Sequence, residues 1–263
     1  MLKGLYTAYS GMVNEQNRMD VLTNNLANSA TTGYKTVGST SQTFDTVLTY
    51  RIKDEEDGYY NDVNIGRAMP GVKIGETYTD YSQGSFRETG NTFDMAISGT
   101  GFFTVEYTAR SGEKSTVYTR DGSFTLTKDG MLVTKDGDYV MGEGPNGQLQ
   151  RIQLDPTKET SIDTSGRITQ NGQAVGQLKI TDFEDYNYLK QFGENFYLPA
   201  EGAEVIETDA KVQSGYLEMS NVQVVREMVE LISVTRQYEA NQKVIQAYDS
   251  ALDISVNRIG RLG

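Results

Sequence analysis

Apolar side chains return every seven residues at both ends of the chain. Near the N-terminus Leu5, Met12, Met19 and Leu26 hold that spacing, with Leu2, Tyr9 and Leu22 on the same side. This predicts an amphipathic helix. The block Asn24-Asn25-Leu26-Ala27-Asn28 predicts its end, placed at Asn28, because asparagine tolerates the left-handed backbone that closes a helix. The Ser-Ala-Thr-Thr-Gly that follows is turn chemistry. At the other end Val224, Leu231, Tyr238, Ile245, Leu252 and Ile259 keep the same period, flanked by Val234, Tyr248 and Val256. Ser220, with Asn221 beside it, is the predicted N-cap. Neither Gly nor Pro occurs between 220 and 259, so the pattern predicts one helix of about 40 residues and roughly 60 Å.

Between these ends the period changes. Short β-branched and aromatic runs such as FFTVEYT, STVYTR and MLVT alternate with turn signals such as SGTG, RDGS and KDGM. Spacings of about eight to twelve residues between turns predict antiparallel strands. Residues 123–142 resemble 161–180, each reading as strand, Gly turn, strand, Gly turn, strand, which points to two similar meanders. The predicted fold is mixed α and β: long N- and C-terminal helices forming a discontinuous helical domain, with a central antiparallel β-rich domain. The boundaries are 1–35 for the first helix, 36–70 for an extended or partly helical connector, 71–215 for the β-rich domain and 216–263 for the second helix. A C-terminal helix of that length overhangs a domain of some 145 residues, so the two ends are expected to pair with each other and with other subunits. Val225, Ile232, Ala240, Ala247 and Ile254 lie off the main apolar line and supply a second contact face.

Composition narrows the chemistry. The 263 residues include no Cys and no His, which removes disulfides, thiol catalysis, thiolate metal sites and every imidazole mechanism. The net charge is −12, and residues 36–215 carry all of it, the two ends being neutral together. Neutral ends suit packing against other chains, and an acidic middle suits a solvated surface. No basic cluster suited to nucleic acid is present. No apolar run is long enough for a transmembrane helix, and the N-terminus lacks the apolar stretch of a cleaved signal peptide.

With both ends in view, the chain resembles the bacterial flagellar rod and hook proteins. MDVLTNNLANSATTGYK (19–35) is similar to their N-terminal signature, at Asn24, Asn25, Leu26, Ala27, Asn28, Thr31, Gly33, Tyr34 and Lys35. Residues 215–260 are similar to their C-terminal signature, at Gly215, Ser220, Asn221, Val222, Glu227, Met228, Val229, Ile232, Arg236, Tyr238, Glu239, Ala240, Asn241 and Lys243. ISGTGFFTV, YTRDGSFTLTKDGMLVT, VGQLKITDF and FGENFYLP resemble segments of the family's globular domain. The resemblance implies a structural subunit of the basal-body rod, closest to the distal rod protein or its proximal relative. Such a subunit is exported through the flagellar type III apparatus without a cleaved signal. It polymerises through its terminal helices with copies of itself and other rod or hook proteins. The resulting tube transmits torque and conducts exported subunits. No cofactor, no metal, no nucleic acid and no membrane insertion are implied, and Asn28 with Gly33 would turn the chain out of the inner layer. The hook or another axial protein is the alternative within the family.

Other motifs carry plainer readings. In SGTGFF (98–103) the third glycine of a nucleotide-binding loop would fall at Thr104 and strands follow, so it reads as a turn. KDGMLVTKDGD (128–138) lacks the ligand spacing of a calcium loop and reads as two tight turns. KDEEDG (53–58) reads as a surface loop, with Asp54, Glu55, Glu56 and Asp57 as weak divalent-ion candidates. Glu88, Asp94, Glu106, Asp121 and Asp182 are the carboxylates from which a glycosidase pair would be drawn. Outside the family, the competing functions are a carbohydrate-binding or adhesive β domain on a coiled-coil stalk, and a carboxylate-dependent hydrolase.

Overall fold

A computed structural model describes residues 2–44, 47–51, 63–68, 71–109, 112–144, 148–193, 195–206, 208 and 210–259. The acidic run 53–58 lies outside the described residues. Contacts divide the chain into two units. One joins residues 1–26, 37–78 and 224–263, and the other joins 27–36 and 79–223.

The first unit is built on two helices. Helix α1 spans Leu2–Ala27 and α2 spans Val224–Ile254, followed by a π-helical turn at Ser255–Ile259. At 31 residues, α2 is about 46 Å long, shorter than the apolar spacing suggested. Its start also differs from expectation. Ser220 does not cap it: the Ser220 hydroxyl accepts from the Val222 amide at 3.2 Å, and the helix begins at Val224. Helix α1 ends at Ala27, but Asn28 does not adopt the left-handed conformation. The chain is turned instead by hydrogen bonds, from the Thr31 amide to the Asn28 carbonyl at 3.2 Å and from the Thr31 hydroxyl to Asn28 Oδ1 at 3.2 Å. Asn25 then fixes the returning chain by imitating a strand neighbour. Its Nδ2 donates to the Val37 carbonyl at 2.8 Å, and its Oδ1 accepts from the Val37 amide at 3.0 Å. Strand Val37–Thr43 pairs with Val72–Thr79, and Val47–Arg51 pairs with Val63–Ala68.

The second unit is antiparallel β. The main sheet runs, in spatial order, through strands 160–162, 167–170, 173–178, 139–143, 102–108, 114–119, 196–199 and 189–192. The two similar sequence stretches form two meanders, 124–126 with 132–134 and 139–143, and 160–162 with 167–170 and 173–178. They meet where Gly142 pairs with Leu178. Met95, Ile97, Phe103, Phe124, Leu132 and Ile168 fill the main core. Phe102, Phe183, Leu189 and Tyr197 form a second, aromatic cluster. Two short pairings bring the beginning and end of this unit together: Met95–Ser98 with Lys211–Ser214, and Phe86–Glu88 with Tyr216–Glu218.

Candidate assembly surface and buried clasp

In the first unit α1 and α2 run antiparallel along a seam with a seven-residue spacing on each side. Gly4 faces the Tyr248 ring, Gly11 faces Asn241, and Asn25 faces Glu227. Between them Arg18 bridges Glu230 at 3.0 Å and its own Glu15 at 3.1 Å. The Thr235 hydroxyl lies 3.7 Å from the Met19 sulfur. A Cβ on Gly11 would stand 3.0 Å from the Asn241 amide, and one on Gly4 would strike Tyr248. At both positions the missing side chain leaves room for the end of a side chain from α2. Asn14 and Ser41 exchange hydrogen bonds at 3.1 and 3.3 Å beside the seam. Small and polar groups thus set the register of this pairing, alongside the buried Ala8 and Leu22 of α1 and Val234 of α2.

That choice leaves α2 open. Along its 31 residues only Glu227 and Val234 are buried. Val225 is 76% exposed, Val229 62%, Ile232 54% and Met228 46%, and Val244 and Ile254 are exposed as well. Val229, Ile232, Ser233, Arg236, Gln237 and Ala240 line a shallow groove on this face. On α1, Tyr6 and Tyr9 also point outward. Soluble monomers rarely carry such an apolar stripe without a partner for it.

The second unit contains an unusual buried centre. Residues 27–36, the link after α1, lie within it, and Thr32, Gly33, Tyr34 and Lys35 are buried there. Lys35 Nζ donates to Glu218 Oε1 at 2.6 Å and to the Ser82 carbonyl at 2.8 Å. Arg120 Nη1 donates to the other Glu218 oxygen at 3.3 Å, while its Nη2 donates to the Gly99 carbonyl at 2.9 Å. The Gly84 amide adds a third bond to the carboxylate at 2.9 Å. Two cations thus share one carboxylate away from water. Burial lowers the Lys35 pKa, Glu218 opposes that shift, and Arg120 adds to it. Gly33 sits at φ +70°, and a Cβ there would strike the backbone of Arg120 and Asp121. Its amide donates to the Glu218 carbonyl at 2.8 Å. Thr32 donates to Asp121 at 2.8 Å, and Asn195 donates to the Thr32 carbonyl at 3.1 Å. Asn221 completes the clasp. Its Oδ1 accepts from the Thr36 amide at 2.8 Å and the Thr36 hydroxyl at 2.7 Å. Its Nδ2 donates to the Asp80 carbonyl at 2.8 Å and to Ser82.

Comparison with known proteins bears on both sites. A family model described as "Flagella basal body rod protein" matches residues 5–35. One described as "Flagellar hook protein FlgE/F/G D1 domain" matches 96–170, and one described as "Flagellar basal body rod FlgEFG protein C-terminal" matches 213–259. The chain is 35% identical to the flagellar basal-body rod protein FlgG of Agrobacterium fabrum, over 96% of this chain and 98% of the relative. It is 32% identical to the flagellar hook-basal body complex protein FlhO of Bacillus subtilis over the whole of both. It is 31% identical to the rod protein FlgF of Caulobacter vibrioides, over 100% and 99%.

The chain belongs to the flagellar basal-body rod protein family. This is a family of structural components, and the matched ends of this rod protein contribute most of the helix seam and, through Lys35, Glu218 and Asn221, part of the clasp. Of its candidate interface residues, Leu5, Met12, Met19, Leu26, Leu231, Tyr238 and Ile245 lie half-buried, Val224 and Leu252 are exposed, and Ile259 stands in the π-helical turn. Val225, Ile232, Ala240, Ala247 and Ile254 are exposed. The signature residues separate into two groups. Asn24, Asn25, Leu26, Tyr238, Glu239, Ala240 and Asn241 belong to the helical unit, whereas Ala27, Asn28, Gly33, Tyr34, Lys35, Ser220, Asn221 and Val222 belong to the β unit. Glu218, Arg120, Gly4 and Gly11 were not marked by the sequence pattern, and Tyr248 was marked only as a flank of the apolar line. Two glycines seven residues apart on one helix were a usable sign of close approach. Nothing in YTRDGS or GYLEMS marked Arg120 and Glu218 as partners, because their pairing depends on strand register.

Four of the five candidate hydrolytic carboxylates are engaged in local hydrogen bonds or ion pairs. Arg151 and Lys114 bridge Glu106, and the Arg151 hydrogen bond holds its carboxyl below the usual range. Asp121 accepts from Thr32 and Ser123, and Asp94 accepts from Asn91 Nδ2 at 3.2 Å. Asp182 accepts from the Tyr186 hydroxyl at 2.7 Å, and burial together with Asp182 pushes the Tyr186 pKa up to about 12. Glu88 is exposed on the strand Phe86–Glu88. Among the described residues, no group of three or more acidic side chains is placed to hold a metal. No described helix is long and apolar enough to cross a membrane.

Proposed function

We propose that this rod-family protein is a building block whose α1 and α2 form one discontinuous helical domain, and that this domain polymerises with copies of itself and with other rod or hook proteins. The product is a tube that transmits torque and conducts exported subunits. The subunit reaches it through the flagellar type III export apparatus without a cleaved signal. The β-rich part faces solvent and carries most of the negative charge. The protein acts without catalysis, cofactor, nucleic acid or membrane insertion.

One observation carries this reading: a 31-residue helix with two buried side chains and an apolar outer face. Burying that face at about 25 cal/mol per Å² favours association, whereas the polar seam within the chain supplies register. The absence of cysteine suits a chain that must thread a channel, since no bridge can form on the way. Electron microscopy of basal bodies purified from a strain lacking the gene tests the proposal. A missing or truncated rod is expected, and an intact rod refutes it.

A further inference from the structure

The chain passes between its two units four times, after residues 26, 36, 78 and 223. On the β side all four passages run into the clasp. Residue 27 begins the segment whose Thr32 and Gly33 are held by Asp121, Asn195 and Glu218. Thr36, the last residue before the second passage, is held by Asn221 and itself accepts from the Asp80 amide at 2.8 Å. Asp80 and Ser82 follow the third passage and accept from Asn221 Nδ2. Asn221 lies two residues before Gln223, where the fourth passage starts. A single amide side chain therefore ties together three segments far apart in sequence, with the Lys35–Glu218–Arg120 centre directly behind it.

We infer that this clasp is a mechanical brace. A pull on either end of the chain enters the β unit at residue 27 or leaves it at 223. Between those points the shortest route for force runs through Gly33 to Glu218, Lys35 to Glu218 and Thr36 to Asn221, across the clasp and not through the thirteen-stranded sheet. Four attachment points on the β unit, each of which would peel alone, are thereby made to yield together. Its use in torque transmission rests on the function proposed above. The brace is a property of one chain, so a failure to polymerise and a failure of the brace are distinguishable.

Optical-tweezer pulling of the full chain from its two ends tests this, with handles on introduced terminal cysteines, since the native chain has none. The native β unit is expected to open in one event. Asn221→Ala is expected to lower that force and to reveal an earlier, shorter release of residues 27–36. Its Thr36 and Asp80 amides should exchange with solvent on the order of tenfold faster. Asn221→Asp keeps the acceptor for Thr36 and loses the donors to Asp80 and Ser82. It should yield at an intermediate force, which keeps the test decisive if the alanine variant does not fold. Thr104→Ala removes a buried hydroxyl bond to Thr181, 2.9 Å long and remote from the clasp in sequence. It should lower equilibrium stability without lowering the opening force. Unchanged force and a single event in both Asn221 variants would overturn the brace, as would an equal fall in Thr104→Ala.

Discussion

The buried centre of the β unit allows a prediction that turns on counting charge. Lys35 and Arg120 share Glu218, so the cluster carries one net positive charge out of contact with water. Glu218→Gln leaves two cations facing each other without a counter-charge. Breaking a buried ion pair from one side costs about 3–5 kcal/mol. Lys35→Met acts differently. It leaves the Glu218–Arg120 pair neutral, keeps the Gly84 amide on the carboxylate, and removes a cation whose protonated form burial already disfavours. The Ser82 carbonyl retains its bond from Asn221. The cost is then that of ordinary hydrogen bonds, about 1 kcal/mol. The assay is urea unfolding followed by tyrosine near-ultraviolet circular dichroism. The chain has no Trp, and Tyr34 and Tyr197 are both buried in this unit. With a slope of about 2 kcal/mol per molar urea, the midpoint should fall by about 2 M for Glu218→Gln and about 0.5 M for Lys35→Met. The double variant, with one cation left, should be more stable than the sum of the two losses by about 1 kcal/mol or more. A Lys35→Met loss equal to that of Glu218→Gln, or strict additivity, would refute the reasoning.

Three further outcomes follow from the same geometry. Because the folded state lowers the Lys35 pKa, the unfolded chain binds more protons between that lowered value and 10.5. Stability should therefore rise with pH through this window. Above pH 10 the half-buried Tyr81, Tyr118 and Tyr186 and the buried Tyr197, whose pKa values are raised mainly by desolvation, reverse the sign, since the unfolded chain then loses protons first. Urea midpoints measured from pH 7 to 11 should show the rise and fall, and Lys35→Met should abolish the rise alone. Gly33→Ala places a Cβ at φ +70° against the backbone of Arg120 and Asp121. It should cost more than about 2 kcal/mol by the same unfolding assay. Gly11→Leu drives a side chain into Asn241, and hydrogen exchange should show α1 and α2 deprotected while strand Phe102–Thr108 stays as protected as before.

The helices were legible because their signal is periodic and local. Leu5, Met12, Met19 and Leu26 mark α1 whatever it packs against, and the Gly-punctuated runs mark the meanders in the same way. The parts that stayed hidden depend on residues distant in sequence. Ser220 looked like a helix cap because its type favours that role, yet a turn to Val222 takes its hydroxyl and the helix starts later. Lys35 read as the polar end of a signature. Only the pairing of Phe86–Glu88 with Tyr216–Glu218 brings Glu218 to the inside, where that lysine becomes its partner. The seam followed Gly4, Gly11 and Asn25, positions that an apolar count passes over, because close approach needs missing side chains and register needs polar ones.

The central claim is that the outer face of α2 becomes covered when copies assemble. A chain without cysteine permits a direct measurement: thiol labelling of Val229→Cys and Ile232→Cys, with Ala174→Cys on the exposed part of the β unit as the reference. All three should label quickly in the monomer. In the assembled rod, positions 229 and 232 should label on the order of tenfold or more slowly, while position 174 keeps its monomer rate. Equal labelling of 229 and 232 in monomer and assembly would contradict the account.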